Sequence, residues 1–279
     1  MNDASRAKQA VLQQLESWQR AGVRQLPAPR TPTASFAAAG AESVTTSVFS
    51  TAPTEELAMP LAAAAKPLLE IATPLDSTTP TPARFVGDKA AALHVLQQEV
   101  AGCTLCQELA STRTQTVFGV GNVNARVAFF GEAPGADEDR QGEPFVGRAG
   151  QLLDKIIAAC TWKREEVYIL NTLKCRPPGN RNPAVDELAN CRPYWIKQLE
   201  IIQPEFIVCL GTFAAQSVLN SQLSIGKLRK KFHAYHGAKV LCTYHPSYLL
   251  RNPAAKKDVW EDMQMLMHEM GVEVPKKAT

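Results

Sequence analysis

The chain has 279 residues, 45% hydrophobic and 20% charged, with 30 Lys and Arg against 27 Asp and Glu for a formal charge of +3. This composition excludes a low-complexity or fibrous chain and leaves room for one or two globular domains. A balance so close to neutral permits nucleic acid as a partner without requiring one.

Val11, Leu12, Leu15 and Trp18 recur at helical spacing and the pattern stops near Gly22, which predicts a short amphipathic helix within residues 1–26. Such a helix reads either as a frayed extension or as a docking element for a protein partner. Residues 27–85 are rich in Ala, Pro and Thr with few charges and no sustained period, so they read as a disordered linker. The most apolar stretch there, LAMPLAAAAKPLLEIA, is broken by Pro60, Lys66 and Pro67, and the N-terminus lacks the pattern of a secretory signal. A soluble, cytoplasmic (intracellular) monomer with no membrane partner is expected.

From 86 to 274 the texture is that of a folded domain. A helix is predicted over 87–101. Short apolar runs at 126–131, 167–173, 206–211 and 239–244 read as buried strands, and helical stretches follow at 149–160, 184–202, 212–219 and 255–270. Alternation of strand and helix predicts an α/β fold: three layers, with a four-stranded parallel sheet flanked by helices.

In such sheets ligands bind beyond the carboxyl ends of the strands. Here those ends carry Gly131 and Glu132, Asn171, Gly211, and His245-Pro246-Ser247, so a common site is expected. The first of these loops, GEAPGADEDRQGEPFVG (131–147), has glycines suited to close backbone approach. It also holds Glu132, Asp137, Glu138, Asp139 and Glu143, which would repel a phosphate at its centre. Asp137 and Asp139 read as solvated or loop-bonding neighbours.

Seven cysteines, an odd and unevenly spaced set, do not form a secreted disulfide framework. Cys103-Thr104-Leu105-Cys106 can grip one centre from a tight turn, and Cys175 and Cys191 bracket a Pro-rich loop. Four thiolates at this spacing fit a tetrahedral zinc or an iron-sulfur cluster equally well, in either case clamping the segment before the first strand to the loop after the second. Cys160, Cys209 and Cys242 sit in apolar patterns and read as core.

CTLCQELASTRTQTVFGVGN, GEAPGADEDRQGEPFVGRAGQLLDKII, VYILNTLKCRPPGNRNP, CRPYW and TYHPSYLLRNP together resemble the family 4 uracil-DNA glycosylases, the iron-sulfur branch of the uracil glycosylase superfamily. The resemblance spans about Cys103 to Met267 and covers nothing of the first eighty residues. It implies a monofunctional DNA repair hydrolase of the base excision pathway that flips uracil from single- or double-stranded DNA, cleaves its N-glycosidic bond and leaves an abasic site. It also implies a 4Fe-4S cluster on Cys103, Cys106, Cys175 and Cys191, ahead of zinc.

By the same resemblance Gly131, Phe145, Asn171 and His245 bind the uracil. Phe145 stacks on the base, Asn171 reads its edge, and His245 stands near O2 with its charge state open. Glu132, Glu138 and His245 are the catalytic candidates, the two carboxylates sharing the positioning of water and the electrostatic support of a cationic sugar. No lysine stands at a matched nucleophile position, so no lyase step is expected. A related branch traps DNA covalently through a histidine after the second strand, whereas LKCRPPGNRNPAVDEL contains none, which implies hydrolysis and release.

Ser247, Arg251, Arg229 and Lys230 are the candidate DNA contacts. One of Tyr248, Leu249, Leu250 or Arg251 is expected to fill the hole left by the flipped nucleotide. The chain departs from the family at Lys230, where a glycine is expected. The competing reading is a cluster-stabilised DNA-binding module with weak or no catalysis.

Overall fold

The computed structural model describes residues 85–275, so the helix expected within 1–26 and nearly all of the linker expected over 27–85 lie outside the described residues. The first described helix, α1 (Lys89–Ala101), starts where Asp88 Oδ1 accepts hydrogen bonds from the Ala90 and Ala91 amides at 2.9 and 3.2 Å, satisfying donors that a helix start otherwise leaves unpaired. A short helix α2 (Gln107–Thr112) follows the first cysteine pair.

The sheet has six strands in the order β1 (Val120–Gly121), β3 (Tyr168–Asn171), β2 (Val127–Gly131), β4 (Phe206–Leu210), β6 (Ala238–Thr243) and β5 (Phe232–Tyr235). Its four inner strands, β3-β2-β4-β6, are all parallel, as expected. The two edge strands are additions, each antiparallel to its neighbour. They lack a continuous apolar run, the signal that marks a strand buried on both faces. β5 thus lies in GKLRKKFHAYHG (226–237), a stretch outside the expected strands.

Strand residues alternate between two cores. Ala128, Phe130, Leu170, Ile207 and Cys209 face one layer with α1, α5 (Val185–Ile202) and α6 (Thr212–Leu219). Val127, Phe129, Ile169, Val208 and Leu241 face the other with α4 (Arg148–Ala159) and α9 (Lys256–Glu269). This is the three-layer arrangement predicted from the alternating elements. Cys160, Cys209 and Cys242 are fully buried in these cores, as their apolar surroundings indicated.

Three further short helices lie among the described residues: α3 (Ala136–Gln141), α7 (Ile225–Leu228) and α8 (Pro246–Arg251). Strand order reverses at β2, which has β3 on one side and β4 on the other. This leaves a crevice at the carboxyl ends, where the connecting loops diverge. Pairing continues past the strands there: the Thr172 amide donates to Gly131 O (2.9 Å) and the Leu173 amide to Glu132 O (3.0 Å). No helix among the described residues is long and apolar enough to cross a membrane.

Candidate functional site

A cavity of about 380 Å³ opens at this edge, lined by Glu132, Phe145, Asn171, His245, Ser247 and Arg251 among others. Gly131 and Asn171 are register partners on β2 and β3. A Cβ at position 131 would stand 2.3 Å from Asn171 Oδ1 and 2.6 Å from the Phe145 ring. Glycine alone lets those two side chains meet over the strand end. Asn171 is 2% exposed and its Oδ1 has no hydrogen-bond partner among the described residues. Such a buried orphan acceptor costs about 1–3 kcal/mol, so the cavity holds an amide waiting for a donor.

Phe145 has φ of 56°, a left-handed conformation that costs an L-residue about 1–2 kcal/mol. Its surroundings impose it. A Cβ on Gly150 would lie 1.8 Å from Phe145 O, so the glycine lets α4 pack directly on this backbone. Arg164 holds the preceding carbonyl, Pro144 O, through Nη2 at 2.6 Å and reaches Asp154 through Nη1 at 2.7 Å. The Phe145 ring stands 5.5 Å from the His245 ring, tilted by 33°.

His245 is the N-cap of α8, and its Nδ1 accepts the Ser247 amide at 3.1 Å. With Nδ1 an acceptor, the neutral ring carries its proton on Nε2. Burial, and after it the charge of Arg251, lowers the pKa of His245 to about 4. A pKa lowered in this way favours the uncharged ring at neutral pH, with Nε2–H as its donor.

The two motif carboxylates have different surroundings. Glu138 Oε1 accepts the Val146 and Gly147 amides at 2.9 and 3.0 Å, and Oε2 accepts the Gly135 amide at 3.1 Å. It closes the 135–147 loop on itself, with both oxygens occupied by backbone. The Glu132 carboxylate lines the cavity and makes no hydrogen bond or ion pair among the described residues. Burial raises its pKa. Asp139, 4% exposed, accepts the Thr114 amide at 2.9 and 3.0 Å, and Asp137 pairs with Arg140 at the surface.

The four cysteines assigned together are brought together. Cys175 and Cys191 share a small buried cluster with Leu109 and Leu173, and Cys106 packs against it. Burial raises the Cys106, Cys175 and Cys191 thiols, Cys191 to about 12, and the neighbouring thiols, Cys103 among them, raise them further. Polar groups point at the sulfurs: Arg113 Nη1 donates to Cys175 Sγ at 3.1 Å and Asn190 Nδ2 to Cys106 Sγ at 3.5 Å, while Tyr194 bonds Cys103. Among the described residues no three His, Cys, Asp or Glu side chains close around a single metal ion. Arg181 clamps this region from outside, binding Glu187 through both Nη atoms (2.9 and 2.6 Å) and Glu108 through Nη2 (2.6 Å).

One further residue and one further role escaped the sequence reading. Lys174 is 1% exposed, and its Nζ donates to Phe118 O and Asn171 O at 3.0 Å each, fixing the backbone of the asparagine. Burial lowers its pKa to about 7. The Ser247 amide sets the His245 tautomer. Neither has a periodic or spacing signal, because each acts through backbone atoms.

The basic loop departs from expectation at Arg229. Read as a DNA contact, it is 7% exposed and turned inward. Its Nε donates to Asp262 at 3.0 Å, its Nη1 to Asp258 at 2.8 Å, and its guanidinium lies 4.7 Å from the Tyr244 ring centre. A cation so buried and so committed to two carboxylates reads as a structural residue. Lys230 is exposed, pairs with Glu261 at 3.5 Å, and has φ of 63°. The glycine expected there corresponds to a left-handed backbone that lysine adopts under strain.

Comparison with known proteins agrees with this architecture. The profile of the Uracil DNA glycosylase superfamily matches residues 118–264. The type-4 uracil-DNA glycosylase of Archaeoglobus fulgidus is 41% identical over 191 residues, covering 66% of this chain and 96% of the relative. The type-4 enzymes of Thermotoga maritima and Saccharolobus solfataricus are 43% and 42% identical, over 62% of this chain in both cases and 91% and 83% of their own lengths. The chain therefore belongs to the uracil DNA glycosylase superfamily and, within it, to the type-4 uracil-DNA glycosylases.

Proposed function

We propose that residues 86–274 form a DNA repair glycosylase domain that takes uracil out of the base stack and hydrolyses the bond between its N1 and the sugar C1′. Free uracil and an abasic site are the products. The observation that carries this reading is the unpaired, buried Asn171 Oδ1 set in one cavity with the Phe145 ring and the His245 imidazole. Uracil offers N3–H as a donor and O4 as an acceptor, which an amide matches in one plane. Cytosine reverses that pattern and would leave buried polar groups unpaired, the discrimination a hydrogen-bonding site makes best.

As the bond breaks, negative charge collects on the departing base and positive charge on the sugar. The neutral His245 Nε2–H is a donor for uracil O2 whose strength grows with that charge. Glu132, with a free carboxylate on the cavity wall, orients water and favours the cationic sugar. Glu138 serves by holding the loop, since its lone pairs already face three amides. Ser247 and Arg251 at the cavity rim are the contacts for the DNA backbone. Lys174 does not line the cavity, consistent with release that needs no lysine nucleophile.

The donor set suits an iron-sulfur cluster: four cysteines from three segments, with Arg113, Asn190 and Tyr194 directed at three of the sulfurs. A 4Fe-4S cluster on Cys103, Cys106, Cys175 and Cys191 would tie residues 103–112 to the loop after β3. That loop carries Pro177 and Asn182, which form part of the cavity wall.

Uracil release from a single-stranded uracil oligonucleotide, read as alkali-dependent cleavage, tests the function. Wild type is expected to cleave, and Asn171→Ala and His245→Ala to lose at least about a hundredfold. Absence of cleavage by cluster-loaded wild type would overturn the proposal, and full activity of both variants would overturn the site.

A further inference from the structure

The loop after β6 offers Tyr248, Leu249, Leu250 and Arg251 as candidates to fill the space vacated by a flipped nucleotide, and the structure separates them. Leu249 is 1% exposed and belongs to the core beneath α4 and α9. Leu250 is exposed but does not line the cavity. Arg251 lines the cavity and acts on His245 as a charge, the property suited to phosphate. Tyr248 lines the cavity, is 38% exposed and presents a flat ring at its mouth.

Tyr248 also stands at the end of a supported column. Its ring lies 5.0 Å from that of Tyr244, tilted by 31°. Tyr244 in turn rests on the Arg229 guanidinium, 4.7 Å away. Arg229 is fixed by Asp258 and by Asp262, which is fully buried and also accepts the Thr243 hydroxyl at 2.6 Å. A buried ion pair thus carries two stacked rings, the outer of which meets solvent beside the base pocket. An aromatic face stacks on any base without reading sequence, and a ring already held in place loses little freedom on doing so.

We propose that Tyr248 is the wedge that occupies the vacated position in duplex DNA, and that Tyr244 and Arg229 are positioning residues for it. The proposal rests on the glycosylase reading above. A wedge matters where there is a stack to repair, so its removal must penalise duplex substrate more than single-stranded substrate.

The test compares kcat/KM for the same uracil oligonucleotide, single-stranded and paired with its complement. Tyr248→Ala is expected to lower the duplex-to-single-strand ratio at least about tenfold, Tyr248→Phe to keep it, and Tyr244→Leu to lower it partway. With 2-aminopurine next to the uracil, Tyr248→Ala should also reduce the fluorescence rise that reports unstacking on binding. An unchanged ratio for Tyr248→Ala, or a loss produced by Leu250→Ala instead, would overturn the wedge assignment while leaving uracil release intact. If wild type releases no uracil from either substrate, it is the glycosylase reading that fails.

Discussion

Gly131→Ala is the sharpest test of how the pocket is built. The added Cβ would meet Asn171 Oδ1 at 2.3 Å and the Phe145 ring at 2.6 Å, about 1 Å inside ordinary contact distance. Neither neighbour can retreat cheaply. Asn171 is anchored by its place in β3 and by the Lys174 Nζ on its carbonyl at 3.0 Å. The Phe145 backbone is pinned by Gly150 and Glu138 in a conformation that is already strained. The clash is therefore expected to cost about 1–3 kcal/mol of stability, as overpacking does. It should also displace the two side chains proposed to hold the base by about 1 Å, enough to slow the reaction about a hundredfold. Single-turnover uracil release at saturating enzyme measures the second effect, and thermal unfolding the first. A variant that melts with wild type and reacts within about threefold of it would refute the close approach of Gly131, Phe145 and Asn171.

The pH dependence follows from His245. Its folded pKa of about 4 lies below the ordinary 6.5, so the unfolded chain takes up the proton first as pH falls. The stability this gives the fold is full above pH 6.5 and is lost on the way down to pH 4, by at most about 3 kcal/mol. Urea unfolding at pH 7 and 4.5 should show wild type losing stability relative to His245→Gln, and a pH-independent gap between them would contradict the neutral imidazole. Lys230→Gly relieves a φ of 63°, worth about 1 kcal/mol, and loses only an exposed ion pair worth less. The melting temperature is expected to rise by about 1–3 °C, and a fall would show that the left-handed turn carries no strain. Cys175→Ser is expected to abolish visible absorbance and stoichiometric iron and sulfide and to lower the melting temperature. A colourless wild type carrying zinc after anaerobic purification would refute the cluster.

The inner strands were legible because each is buried on both faces, so Val127–Gly131 and Phe206–Leu210 read as unbroken apolar runs between turn residues. The position of the candidate site was legible for a related reason: its residues sit where those runs stop, at Gly131, Asn171 and His245. The α3 helix was not, because ADEDRQ has no apolar period. Its helical form comes from Glu138 reaching back to the Gly135 amide and from Asp139 holding Thr114. Edge strands β1 and β5 are short and partly exposed, and they form by pairing with a neighbour already in place.

The deeper misreading concerned charge. A cluster of Lys and Arg in sequence reads as a solvated or DNA-facing surface, and for Lys230 exposure agrees. Arg229, its neighbour, instead spends its guanidinium on Asp258 and Asp262, 29 and 33 residues further along the chain, so no local pattern could announce it. The same holds for Lys174, whose partners Phe118 O and Asn171 O are backbone atoms, and for Glu138, whose partners are amides. Removing Asp262 would leave the buried Arg229 with only the part-exposed Asp258 as counter-charge, a loss of several kcal/mol for a buried pair. Because Tyr244 rests on that cation, the damage would spread toward the cavity mouth. Charged residues in this fold thus divide into exposed ones, the proposed DNA contacts among them, and buried ones that brace neighbouring side chains, and three-dimensional partners alone tell the two groups apart.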